Sequence, residues 1–341
     1  MYLGIEIGGT KLQLGVGDGA SDQLAAWERL DIDAKRGAAG ILEQVQRAAA
    51  GLIQRFPVAR LGIGFGGPVD TAAGRVVVSH QVEGWRDFPL ASWCHKTLGV
   101  PAILGNDCDS AALAEAQHGA GRGKETVFYV TVGTGIGGGF VKGGVLHGRG
   151  RPASAEIGHL RPGLQADRPE ATVESLASGL GIAEAAKARL SGEVALPLRV
   201  ESQRDHRRRG LNEDGPSAAE SWEEECRRDL LERAGGDVDG VTAKLLGQAA
   251  SEGNQLAAEV LVRSCQVLGW AVAQMITLLA PEVVVVGGGV SLLGEELFFA
   301  PLRQAVRRYV FPPLADAYEI VPAALGELVV VHGAIALAAG A

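Results

Sequence analysis

Five short stretches carry residue types suited to handling phosphate groups and hydroxyl protons. The first is GIEIGGTKLQLGVG at residues 4–17. Gly8 and Gly9 interrupt a strand-like pattern, so backbone N–H groups can approach phosphate oxygens there. Thr10 adds a hydroxyl and Lys11 a cation. The run is neither GxxxxGK[ST] nor GxGxxG opening a helix. A plain β-hairpin competes with the phosphate reading, because Gly-Gly also suits tight turns. The second stretch is GTGIGGG at Gly133–Gly139. That many glycines weaken a strand pair unless something must come close.

The third stretch is Gly105-Asn106-Asp107, where a strand ends and a helix begins. Asp107 there is either a helix N-cap or a general base at the carboxyl end of a strand, where α/β sheets hold their ligands. The fourth is Glu156-Ile157-Gly158-His159, with Glu174 downstream. By themselves these are a surface glutamate and a histidine. No cysteine or second histidine lies near His159 to complete a zinc site. The fifth is VVVVGGGV at 283–290. Its buried strand ends in Gly287, Gly288 and Gly289, which admits a flat ligand against the backbone or a tight turn into a helix.

The composition fits this chemistry. The chain has 341 residues, 47% apolar, with 49 glycines and few aromatics. That is an α/β composition with room for two domains. A net charge of −8 argues against a general nucleic-acid or membrane binder. Cys94, Cys108, Cys226 and Cys265 lie far apart and form no disulfide framework or CxxC pair. With no visible signal peptide, a cytoplasmic location is expected. The most apolar run, 270–290, is broken by Pro281, Glu282 and three glycines, so it reads as a buried helix followed by a buried strand.

The elements that must position these residues follow from periodicity. Two strands flank GGTK over 2–17. A helix is predicted over 38–56, strands over 60–66 and 100–105, and a helix over 109–119 with Asn106 and Asp107 at its entrance. FYVTVGTGIGGGFVKGG, from 128, repeats the strand, glycine turn and strand of the first stretch, which points to a duplicated unit. Residues 191–240 are charged and read as an inserted, solvent-facing segment. A long helix over 254–280, a strand over 282–287 and a last apolar helix complete the chain.

Taken in order, GIEIGGTK, GFGGPVD, GNDCDSAALAEAQHGAG, VTVGTGIGGG, EIGH, VVVVGGGVSLLGEEL and LGELVVVHGAIALA resemble the ROK family of sugar kinases and sugar-responsive repressors. The resemblance covers most of the chain outside 191–240. It implies an α/β, two-lobed, actin-like fold made of duplicated ribonuclease-H-like halves. The smaller lobe would be 1–117 plus 316–341, and the larger 118–315. The implied activity is transfer of the γ-phosphate of ATP to a hexose hydroxyl, with Mg2+, in a homodimer or homotetramer. Asp107 would be the base. Gly67, Asn106, Glu156, His159 and Glu174 would hold the sugar. Gly8, Gly9, Thr10 and Lys11 would contact phosphate, as would Gly133, Thr134 and Gly135. Gly288 and Gly289 would contact adenosine, and Glu6 would lie near magnesium.

Three departures from the family pattern stand out. Glu6 replaces the usual aspartate. LRPGLQADRPEATVES, from 160, has none of the cysteines of the CxCGxxGC motif, so no zinc is expected. Gln81 stands where an asparagine near the sugar is usual. These departures keep two alternatives open: a non-catalytic sugar-binding regulator, and a kinase that uses polyphosphate. No helix-turn-helix precedes Tyr2, which weighs against the repressor branch.

Overall fold

A computed structural model describes residues 1–79, 81–148, 151, 153–163, 168–192 and 218–340. The first sheet holds β1 (Tyr2–Ile7), β2 (Lys11–Gly17), β3 (Leu24–Asp31) and β4 (Arg60–Phe65). Helix α1 (Gly37–Arg55) precedes β4. A small hairpin, β5 (Val69–Asp70) and β6 (Arg75–Val76), and helix α2 (Leu90–Leu98) lead to β7 (Ala102–Asn106) and α3 (Asp107–Gln117). The second sheet starts with β8 (Thr126–Val132), β9 (Ile136–Lys142) and β10 (Val145–Leu146). Helices α4 (Val173–Ala177), α5 (Gly179–Leu190), α6 (Ala218–Arg233), α7 (Ala243–Ser251) and α8 (Gln255–Leu279) follow. Then come β11 (Val283–Gly287), α9 (Ala300–Tyr309), β12 (Glu319–Pro322) and α10 (Val329–Ala339).

The two sheets have the same topology. Their orders are β3-β2-β1-β4-β7 and β10-β9-β8-β11-β12. In each, three antiparallel strands are followed by two strands added in parallel. Their central strands are covered on two faces, which explains the unbroken valine run of β11. Val284 and Val286 pack with Phe128 and Val130 under α8, while Val283 and Val285 pack with Val127 and Tyr129 under α3. Helix α8 is long and apolar enough to cross a membrane, yet 67% of its most apolar stretch is buried inside the protein.

Glycines in the first sheet have a packing cause. Leu61, Ile63 and Phe65 of β4 enter the core beneath α1 and α2. The alternate residues Gly62 and Gly64 face α10 instead. A Cβ on Gly62 would overlap the Ala334 carbonyl, and one on Gly4 the Val331 carbonyl. On its other side α10 meets α3, where a Cβ on Gly333 would overlap the Ser110 carbonyl. Thus α10 lies backbone against backbone between β4 and α3.

The chain crosses between the sheets twice, after α3 and before α10. Glu115, with no exposed surface, fastens the two crossings together. Its Oε2 accepts from the Ala120 amide at 2.8 Å, and its Oε1 accepts from the Ala324 and Leu325 amides at 2.9 Å each.

Most element expectations hold within two residues. The last apolar helix is α10, and it contains His332. Residues 319–322 differ from expectation. They pair in parallel with Val283–Val286, so the chain leaves the second sheet after Pro322 and only α10 joins the first. Of the charged stretch 191–240, residues 193–217 lie outside the described residues, and α6 and the turn after it follow.

Candidate active site

Hairpin geometry sets the first wall of the site. The β1–β2 turn is closed by the Gly8 amide donating to the Lys11 carbonyl at 3.0 Å. Its register places Glu6 opposite Gln13. Because Leu3, Ile5 and Ile7 enter the core, Glu6 faces the other side, toward the cleft. It is only 6% exposed. Lys11 Nζ lies 3.2 Å from its Oε1, and Gln13 Nε2 donates to its Oε2 at 2.7 Å. Burial raises the Glu6 pKa, and the Lys11 cation and Gln13 amide hold it back. Gly9 carries no side chain because Gln81 reaches over it, its Oε1 filling the place of a Cβ.

The β7–α3 junction sets the second wall. Asn106 caps α3, its Oδ1 accepting from the amides of Cys108 at 2.8 Å and Asp109 at 3.2 Å. Its Nδ2 donates to the Gly67 carbonyl at 3.1 Å, which leaves one N–H of that amide for a ligand. Asn106, not Asp107, is therefore the cap, and Asp107 takes the first helical position. Asp107 Oδ1 accepts from the Cys108 amide at 2.8 Å, while Oδ2 points to the Gly66–Gly67 turn. Burial first, and then neighbouring Glu6, push the Asp107 pKa up to about 6.

Glu6, Lys11, Asp107, Gly288 and Gly289 line one cavity of about 430 Å³. Gly133, Thr134 and Gly289 line an adjoining one of about 680 Å³, with Leu180, Lys244 and Leu292. Gly288 joins the two walls. Its φ is 88°, and a Cβ there would press on the Val132 backbone just before the second glycine hairpin. Gly8, Gly9 and Thr10 form the tip of the first hairpin, outside both linings. Gly135 packs against the Glu174 carboxylate, which accepts from the Ile136 amide at 2.8 Å. Glu174 thus braces the second hairpin. Glu156 and His159 sit on a turn, where partial burial of the Glu156 carboxyl raises its pKa, His159 lowers it and Glu174 adds a smaller rise.

Several site residues were not singled out from sequence. Gln13 had a usable signal, as a polar residue inside a buried strand opposite a carboxylate. Cys108, Tyr129 and Thr131 also line the first cavity. Burial first, and then the Asp107 and Glu156 carboxylates, push the Cys108 thiol well up, which favours its neutral form. Asp109 had no local signal. Its Oδ1 is buried without a hydrogen-bond partner, and burial, with Glu156 and Asp107, pushes its pKa to about 7. Folding therefore favours its protonated form, and the penalty grows as pH rises from about 4 to 7. We expect Asp109→Asn to stabilise the protein at pH 8 by about 2–4 kcal/mol and by less at pH 5. Thermal unfolding at both pH values checks this, and an equal gain at each would contradict it.

A cleft between two mixed sheets, bordered by two glycine hairpins with a carboxylate at a helix entrance, defines a two-sheet α/β protein with flanking helices. The family model for the ROK family matches residues 2–341, and the chain belongs to that family. A glucokinase from Halalkalibacterium halodurans is 30% identical over 96% of this chain and 91% of that protein. One from Thermotoga maritima is 28% identical over 98% of this chain and 96% of its own length. Among solved structures, a ROK family glucokinase from Streptomyces griseus in complex with glucose and AMPPNP matches with a TM-score of 0.77. It is 29% identical and covers 100% of this chain and 99% of its own.

Proposed function

We propose that the protein is an ATP-dependent hexose kinase in which Asp107 takes the proton of the attacking sugar hydroxyl. The observation that carries this is Asp107 itself. Relieved of capping by Asn106, it lines one cavity with Glu6 and Lys11. In-line phosphoryl transfer asks mainly for positioning and electrostatics, which such a wall supplies. As the hydroxyl oxygen bonds to the γ-phosphorus, its proton passes to Asp107 and ADP leaves. Lys11 offsets charge on the transferred group. Asn106, Gly67, Glu156, His159 and Glu174 are the proposed sugar contacts. The tips of the two hairpins, with Gly8, Gly9, Thr10 and Gly133–Gly135, are the proposed phosphate clamp.

Magnesium fits this site as part of the nucleotide substrate. Among the described residues, no three His, Cys, Asp or Glu gather to hold a resident metal. A magnesium ion that arrives on phosphates and keeps its waters needs only one or two carboxylates. Glu6 on the cavity wall meets that need. The matching topology of the two sheets supports the duplicated, actin-like reading of the fold. A cytoplasmic setting suits the nucleotide.

The second cavity suits adenosine. Leu292 and Leu180 are 86% and 61% exposed, yet both line it beside Gly289. Apolar side chains left bare in a cleft gain by covering a flat base. Leu292→Ser is expected to raise the KM for ATP about tenfold and leave the KM for sugar alone. Steady-state kinetics with each substrate varied would reveal a sugar effect of equal size, against the expectation.

The test of the function is release of ADP from ATP and Mg2+ across a panel of hexoses. Turnover with at least one hexose is expected. No turnover with ATP but turnover with polyphosphate would change the donor. No turnover with either, with sugar still raising the melting temperature, would make the protein a regulator.

A further inference from the structure

We propose that Gln13 is a positioning residue for phosphoryl transfer, fixing the Glu6 carboxylate and tying it to the second crossing between the sheets. The inference rests on the kinase reading and concerns a residue with no contact to the sugar. Gln13 is 1% exposed, in a strand whose other inward residues are apolar or glycine. A buried amide in such a place must be satisfied or it destabilises the fold. Its Nε2 donates to Glu6 Oε2 at 2.7 Å and to the Glu327 carbonyl at 2.9 Å. Lys11 Nζ reaches the same carbonyl at 3.4 Å, and Arg29 pairs with the Glu327 side chain at 3.2 Å. Glu327 lies between β12 and α10, where the chain passes from the second sheet to the first.

One amide therefore holds the acid of the phosphate site and the carbonyl of the crossing. It holds Glu6 Oε2 while Lys11 Nζ sits 3.2 Å from Oε1, so the carboxylate is fixed at both oxygens on the wall of the cavity. Since the carboxylate is a glutamate, its longer side chain has an added rotatable bond, and Gln13 removes that freedom. The Glu327 carbonyl fixes Gln13 in turn, so a shift of the crossing would be felt at Glu6.

The test uses Gln13→Met, which keeps length and packing but removes both donors. Its kcat should fall about ten- to hundredfold, as for a lost hydrogen bond to a charged group. The KM for hexose should stay within about twofold of the parent's. Calorimetry should show that the gain in ADP affinity given by Mg2+ shrinks. Introducing Glu6→Gln as well should add little further loss. An unchanged kcat and an unchanged magnesium gain would overturn the proposal. So would a fall in melting temperature with kcat and sugar KM damaged together. Gln13→Asn, too short to span both partners, serves if the methionine variant does not fold. A parent without hexose turnover, whose Mg2+-dependent ADP binding still needs Gln13, would remove the kinase reading and keep the positioning role.

Discussion

Asp107→Asn is expected to lower kcat by about 10²–10⁴-fold, the usual worth of a general base, while sugar binding survives. Asparagine keeps the shape and still accepts from the Cys108 amide, so the α3 entrance is undisturbed. Capping rests on Asn106, so the helix loses no cap. What disappears is the site for the hydroxyl proton. The pH dependence follows from the same residue. Its pKa, pushed up to about 6, lies above the ordinary carboxylate value. The competent ionised form therefore fills as pH rises through about 6, and kcat/KM should climb over that window and level off above it. Stopped-time assays from pH 5 to 8, with sugar affinity from calorimetry, separate chemistry from binding. Near-parental turnover in the asparagine variant would take Asp107 out of this role.

Replacing Gly62 by valine should be at least as damaging, for a reason unconnected with catalysis. The new Cβ would overlap the Ala334 carbonyl of α10. Relief requires α10 to move away from β4. On its far side Gly333 already meets the Ser110 carbonyl of α3, so that movement is blocked. Overpacking where a neighbour can yield costs about 1–3 kcal/mol. With backbone on both sides we expect more than about 4 kcal/mol, seen as lost soluble protein or a melting temperature lower by more than ten degrees or so. Gly51→Ala is the control. It lies on the exposed face of α1 with nothing within 4 Å of its Cβ position, and alanine should stabilise it by about 0.5–1 kcal/mol. A valine variant melting close to the parent would mean that α10 adjusts freely.

These glycines also mark where sequence reading stops. In GIEIGGTK the glycines at 8 and 9 were legible, because paired glycines at a hairpin tip are a local signal. Gly4 and Gly62 were not, because their cause is a helix from residues 329–339. Asn106 and Asp107 were legible as a pair at a helix entrance, but which one caps depends on the Gly67 carbonyl brought in by another strand. β3 escaped notice because its alternation is broken: the outward face carries Ala25 and Trp27 beside Arg29 and Asp31, and Glu28 falls on the inward face. Short β12 is held by its neighbour β11, and its four residues carry little periodicity. Asp109 became notable only when folding set it near Glu156.

Glu115 has a mechanical meaning beyond its hydrogen bonds. Two separate straps between the lobes would let the cleft twist as well as open. A single buried carboxylate gripping amides from both straps ties them at one point, which would serve as their common pivot. In the proposed kinase, a substrate that closed the cleft about this pivot would strengthen the binding of the other by the same factor it receives in return.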